Sequence, residues 1–145
     1  KNAKSAKILV YNLPSDNIKL LEPVVEHCTS FEHLQQLSIQ YSAYVLIIAF
    51  NAERLSELRQ FLNEIPFDAV YILNLGEKTD GYDAPWWNRT TVVYNDKQLM
   101  RHLCTKTMLC LFNEGLEHRK NGNFGLANSS MLQSLKALDY SAQFI

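Results

Sequence analysis

The residues able to do chemistry in this chain are few and scattered. His27, His33, His102 and His118 show no metal-type spacing to one another or to Cys28, Cys104 and Cys110. An odd, dispersed set of thiols also argues against a disulfide framework and fits a reducing compartment. Cys104 and Cys110 stand six apart, about 240° around a helix, so they do not share one site on it. Asp80-Gly-Tyr-Asp83 with Glu77 offers carboxylates for a cation or for acid–base work. The spacing matches no Ca²⁺ loop, and Asp beside Gly is ordinary turn chemistry, so a solvated turn is expected. Phosphate-cradling glycine loops are absent: neither GxGxxG nor GxxxxGK[ST] occurs. Trp86-Trp87 is the most informative pair. Adjacent side chains in an extended segment face opposite ways, so one tryptophan is expected to anchor a loop on the core and the other to meet a partner or a planar ligand.

These residues need elements to position them. Lys7-Ile-Leu-Val-Tyr-Asn12 reads as a strand, closed by Leu13-Pro14-Ser15-Asp16. Ile18, Leu21, Val24 and Val25 then recur at helical spacing, limited by Pro23. A brief second strand is expected over 28–31, with Ser30 capping a helix that carries Leu34, Leu37 and Tyr41. The run Tyr44-Val-Leu-Ile-Ile-Ala-Phe50, nearly continuous in apolar residues, reads as the central strand of a parallel sheet. Asn51 can cap the next helix, whose stripe is Leu55, Leu58, Phe61, Leu62 and Ile65, stopped by Pro66. Strands follow at 69–73 and 90–94, separated by a loop rich in Gly, Pro and acids.

Strands alternating with helices predict a mainly parallel five-stranded sheet in a three-layer α/β sandwich, in the flavodoxin-like order 2-1-3-4-5. In that order ligands sit outside the carboxyl ends of the strands, which here makes Asn12, Ser15, Asn51, Asn74 and Asp83 the candidate ligand rim. After Asp96 the pattern turns wholly helical. Leu99, Met100, Leu103, Cys104, Met108, Leu111, Phe112, Gly115 and Leu116 form one apolar seam, 120–123 is a stop, and Phe124, Ala127, Met131, Leu135 and Leu138 continue the spacing. A helical hairpin is expected, dividing the chain into an α/β part, 1–106, and a hairpin, 107–145. Arg101, His102 and Lys106, with His118, Arg119 and Lys120, give its helices a mildly basic face. Trp86, Trp87, Arg101 and Arg119 are therefore the candidate partner-binding residues.

The α/β part, about 7–106, resembles the receiver domain of two-component signalling in its order of elements. Receivers carry an acidic cluster after strand 1, a phosphoacceptor aspartate at the end of strand 3, a hydroxyl after strand 4 and a lysine after strand 5. The matching places hold Asn12 with Leu13, Phe50 with Asn51, and Asn74 with Leu75; only Lys97 fits. The resemblance thus implies a phosphorylation-incompetent module, since Mg²⁺ needs charged oxygen ligands. Strands 3 to 5 and the Trp pair also resemble the receiver-like or TIR-like leading modules of multidomain eukaryotic proteins. About 108–141 looks like one tetratricopeptide repeat, with Leu111, Gly115, Gly122, Phe124 and Ala127 at compatible spacings and Glu114, His118 and Asp139 departing from the pattern. One such repeat cannot bury its own faces, so further repeats would be expected behind it.

The chain has 145 residues, 47% hydrophobic and 20% charged, with 14 basic and 15 acidic side chains and a net charge of -1. That size and balance suit one core and argue against a nucleic-acid or anionic-membrane scaffold. Neither the apolar run at 44–50 nor the lysines at 1, 4 and 7 suggest a membrane span or a secretory leader. The sequons at Asn88 and Asn128 matter only on a secretory route. The expectation is a cytoplasmic, noncatalytic signalling or scaffolding module without cofactor or metal, working on a protein partner or a second copy of itself. The competing reading is a nucleotide-binding or nucleotide-hydrolysing domain using the rim.

Overall fold

The computed structural model describes residues 5–13, 16–22, 24–76 and 84–145. Five strands, β1 (Ala6–Tyr11), β2 (Val25–Cys28), β3 (Val45–Asn51), β4 (Ala69–Leu73) and β5 (Thr90–Val93), form one parallel sheet in the order 2-1-3-4-5. β3 is central because it is apolar on both faces: Leu46 to Phe50 are all buried, with Ile47 paired to Ile8 on one side and Ile48 to Val70 on the other. Side chains alternate across the sheet. Leu9, Ile48, Phe50, Val70 and Ile72 face α1 (Phe31–Gln40) and α2 (Leu55–Glu64), whereas Ile8, Val10, Ile47, Ala49 and Tyr71 face α3 (Asp96–Lys120).

The helices begin where side chains satisfy their free amides. Ser30 Oγ accepts from His33 N at 3.1 Å, and Asn95 Oδ1 accepts from Gln98 N at 2.8 Å. Asn51 acts one step earlier than expected, accepting from Glu53 N at 3.1 Å to cap a 3₁₀ turn, Ala52–Arg54, that leads into α2. The short helical segment expected in the first crossover is a 3₁₀ segment, Asp16–Leu21, seated through buried Ile18 and Leu21. Val25 opens β2 instead of extending that helix, and the strand expected at 28–31 lies at Val25–Cys28, where a β-branched pair, Val24-Val25, favours extension.

The connection from β4 to β5 has no α-helix among its described residues. Trp86 packs there between the sheet and α2. Its ring is 1% exposed within the α1/α2-side core, and its indole N–H donates to Asn63 Oδ1 on α2 at 2.9 Å. Arg89 fastens the same segment, donating to the Phe67 carbonyl at 2.7 Å and lying over the Phe67 ring.

α3 runs 25 residues without interruption, across the boundary expected at 106 and 107. Its first half covers the sheet with Leu99, Met100, Leu103 and Cys104, and its second half pairs with α4 (Phe124–Ser141). Gly122, at φ +81°, makes the turn between them. The two helices approach closely at Gly115: a Cβ there would stand 3.0 Å from Met131 Cε and 3.3 Å from the Ala127 carbonyl oxygen.

Candidate functional site

Two regions stand out: the carboxyl rim of the sheet and the outer face of the α3/α4 hairpin. At the rim, Asn12 adopts φ +57°, a left-handed conformation that asparagine tolerates, and ends β1 there. Its amide donates to Glu53 Oε1 at 3.1 Å, tying the loop after β1 to the turn after β3. Between them lies a cleft of about 500 Å³ lined by Tyr11, Asn12, His27, Thr29, Asn51 and Arg54 among others. It sits at the point where the strand order reverses, the location favoured for ligands in such sheets.

Of the five expected rim residues, the structure brings Asn12 and Asn51 to this cleft. Ser15 and Asp83 lie outside the described residues. Asn74 is turned to another task, accepting from Gly76 N at 2.9 Å, and does not line the cleft. Sequence reasoning missed Arg54, whose Nε is buried with no hydrogen-bond partner among the described residues. Its Nη1 lies 3.9 Å from Glu57 Oε2, and Glu57 also accepts from the Tyr11 hydroxyl at 2.6 Å, which pushes the Tyr11 phenol up. A basic residue three positions beyond the last residue of a central strand was the available signal.

The cysteines are not poised as nucleophiles. Burial pushes the Cys28 thiol up to about 12 and the Cys104 thiol to about 11, and it raises Cys110 as well. Among the described residues no group of three His, Cys, Asp or Glu side chains could hold a metal ion.

The candidate partner residues separate. Trp86 is buried, so it serves as the core anchor and presents no surface to a partner, a correction forced by its place under the crossover. Trp87 is half-buried beside it, ring centroids 5.8 Å apart. Arg101 and Arg119 are both exposed on α3.

Between those two arginines the hairpin departs from the expected seam. α4 buries only small side chains, Ala127, Ser130, Ser134 and Ala137, against its neighbours. Its phenylalanine and leucines point away, Phe124 being 62% exposed, Leu132 62%, Leu135 59% and Leu138 50%, while Met131 packs on Gly115 and Tyr140 on the core. On α3, Leu109, Phe112 and Leu116 are likewise exposed, although the last two belonged to the predicted seam. At Gly115 the missing side chain leaves room for Met131 and the Ala127 backbone, so the two helices close up there. Hydroxyls help fix it: Ser134 Oγ donates to the Met108 carbonyl at 2.9 Å.

The arrangement is therefore a shallow polar cleft with mixed charges at one edge and an amphipathic hairpin worn inside out at another. No protein family, curated protein or solved structure matches this chain. What the fold itself defines is a flavodoxin-like α/β sandwich with a C-terminal helical hairpin. Among the described residues no helix is long and apolar enough to cross a membrane.

Proposed function

We propose that this chain is a noncatalytic interaction module of receiver-like plan, a scaffolding or signalling unit of the cytoplasm whose working surface is the outer face of the α3/α4 hairpin. One observation carries the reading: α4 turns its alanines and serines inward and its phenylalanine and leucines outward. A helix in water gains most by burying its largest apolar side chains, about 1.5–3 kcal/mol each. A stable helix that leaves them exposed is expected to complete its burial against another surface. The close contact of Gly115 with Ala127 and Met131 further supports kinship with helix-pair repeats, in which each pair rests on the next. As the leading module of a larger protein, such a hairpin would join sheet to array.

Loss of the receiver chemistry points the same way. Phe50-Asn51 occupies the end of β3, where a receiver carries its aspartate, and Asn51 is engaged as a cap. A second reading, a nucleotide in the rim cleft, draws on its volume and on the buried Arg54 Nε. Glu53 in the same cleft opposes a phosphate by charge.

The test uses the purified chain as bait in an extract of its source cells, comparing wild type with Leu135→Glu and with Arg54→Ala. Capture of a partner by wild type and Arg54→Ala, but not by Leu135→Glu, is expected. Equal capture by Leu135→Glu refutes the hairpin reading. A saturable thermal shift with NAD, ATP, GTP or a cyclic dinucleotide, abolished in Arg54→Ala, would install the nucleotide reading in its place.

A further inference from the structure

We infer that the outer face of the hairpin binds a second copy of this chain, α4 against α4 in antiparallel, two-fold symmetric pairing. The inference rests on the interaction reading above and names its partner.

The size of the face is the first ground. Phe112, Leu116, Phe124, Leu132, Leu135 and Leu138 are each between 43% and 62% exposed. The Gly115–Met131 contact joins their two helices, since Phe112 and Leu116 flank Gly115 on α3 while Leu135 follows Met131 by one turn. At about 200 Å² for a large side chain in full exposure, these six present roughly 600 Å² of apolar surface before any rim is added. That is at the top of what a soluble monomer usually shows, about 300–600 Å², and most of the ~800 Å² that one partner brings to a standard interface.

Self-complementarity is the second ground. A two-fold interface demands that whatever residue i meets, its counterpart meets in return. Phe124 and Leu138 stand seven residues to either side of Met131, so an axis through Met131 sets Phe124 of each copy against Leu138 of the other. Phe124, Leu135 and Leu138 fall within an arc of about 60° on the helix, one continuous crest, while Met131 between them packs on Gly115 of its own copy.

Charge supplies the third. α4 carries only Lys136 and Asp139 among its 18 residues, so its crest repels no second crest. The basic end of α3, His118, Arg119 and Lys120, lies at the N-terminal end of α4, and Asp139 lies near its C-terminal end. Antiparallel pairing brings Asp139 of each copy beside the basic end of the other. Parallel pairing would set like beside like.

Sedimentation equilibrium of the purified chain over the micromolar range decides the matter. Wild type is expected to fit a monomer–dimer equilibrium, with Leu135→Glu raising its dissociation constant at least tenfold. Leu126→Glu, equally exposed but on the opposite side of α4, is expected to leave it unchanged. Arg119→Asp and Asp139→Arg should each weaken the dimer severalfold, and the double variant should recover it. Circular dichroism checks that every variant remains folded. A wild type that stays monomeric overturns the inference, as does a dimer equally sensitive to Leu126→Glu or one that grows into open polymers. A monomer that still captures a partner through Leu135 would remove the second copy and leave the interaction reading standing; loss of both would remove the two together.

Discussion

Replacing Trp86 by alanine is expected to be the most damaging single truncation in the β4–β5 connection. The side chain is 1% exposed and packs in the core between the sheet and α2. An aromatic of this kind buries about 150–250 Å², which at about 25 cal/mol per Å² is worth roughly 4–6 kcal/mol. That figure is an upper bound, because the unfolded chain already buries part of the ring. Asn63, the indole's acceptor, is exposed and turns to water when the donor is gone, so loss of that bond adds little. The expected cost is about 3–5 kcal/mol, the range for large aromatic truncations in cores. Trp87→Ala, half-buried, should cost under about half as much by the same area argument. Urea unfolding followed by far-ultraviolet circular dichroism measures both without relying on tryptophan emission. With a slope of about 1–3 kcal/mol per molar, Trp86→Ala should lower the midpoint by more than 1 M. A loss below about 1 kcal/mol would refute the role of this ring as a core anchor.

Three further outcomes follow from single side chains. Thr107 is 2% exposed, and its hydroxyl has no hydrogen-bond partner among the described residues; Thr107→Val keeps the shape, removes the unpaired group and should stabilise the chain by about 1 kcal/mol in the same urea assay. Cys28 and Cys104 should resist a thiol reagent at pH 8 in the native chain and react fully in denaturant, because burial holds their pKa values at about 12 and about 11. Glu26 accepts from the Tyr41 hydroxyl and pairs with Lys7 at 3.2 Å, which holds its carboxyl below the usual range. A carboxylate depressed on folding contributes stability above its unfolded pKa and loses it as pH falls through the folded one. Wild type should therefore lose more stability than Glu26→Gln as pH drops below about 4.5, the usual value for this group.

Much of this architecture was legible in the sequence, for identifiable reasons. The unbroken apolar run at 44–50 has only one economical home, a strand covered on both faces, and the structure puts β3 at the centre. Strand order followed from the alternation of elements. Periodicity also located both helices of the hairpin, yet it did not say which side of α4 would be inside. Ala127, Ser130, Ser134 and Ala137 recur as regularly as Phe124, Met131, Leu135 and Leu138, and hydrophobicity alone favours the second set. Interhelical packing buries the first set, with Met131 alone of the second drawn onto Gly115, and that is a property of two helices together. The candidate rim was legible by position only. Asn12 and Asn51 reach it because strand ends do, whereas Arg54 enters through a 3₁₀ turn whose orientation no local pattern encodes.

The uninterrupted course of α3 makes the hairpin a rigid arm geared to the sheet. Its 25 residues span about 37 Å, seated in the core from Leu99 through Leu111, and the turns beyond Glu114 carry the pairing with α4 outward. A tilt of about 10° at Leu103 would sweep the far end, about 25 Å away, through roughly 4 Å, less than one helical turn's rise of about 5.4 Å. Any load on the apolar crest is thus felt as torque at Leu99, Met100 and Leu103, next to the strand ends that frame the rim. A cut at residue 106 would fall inside this helix.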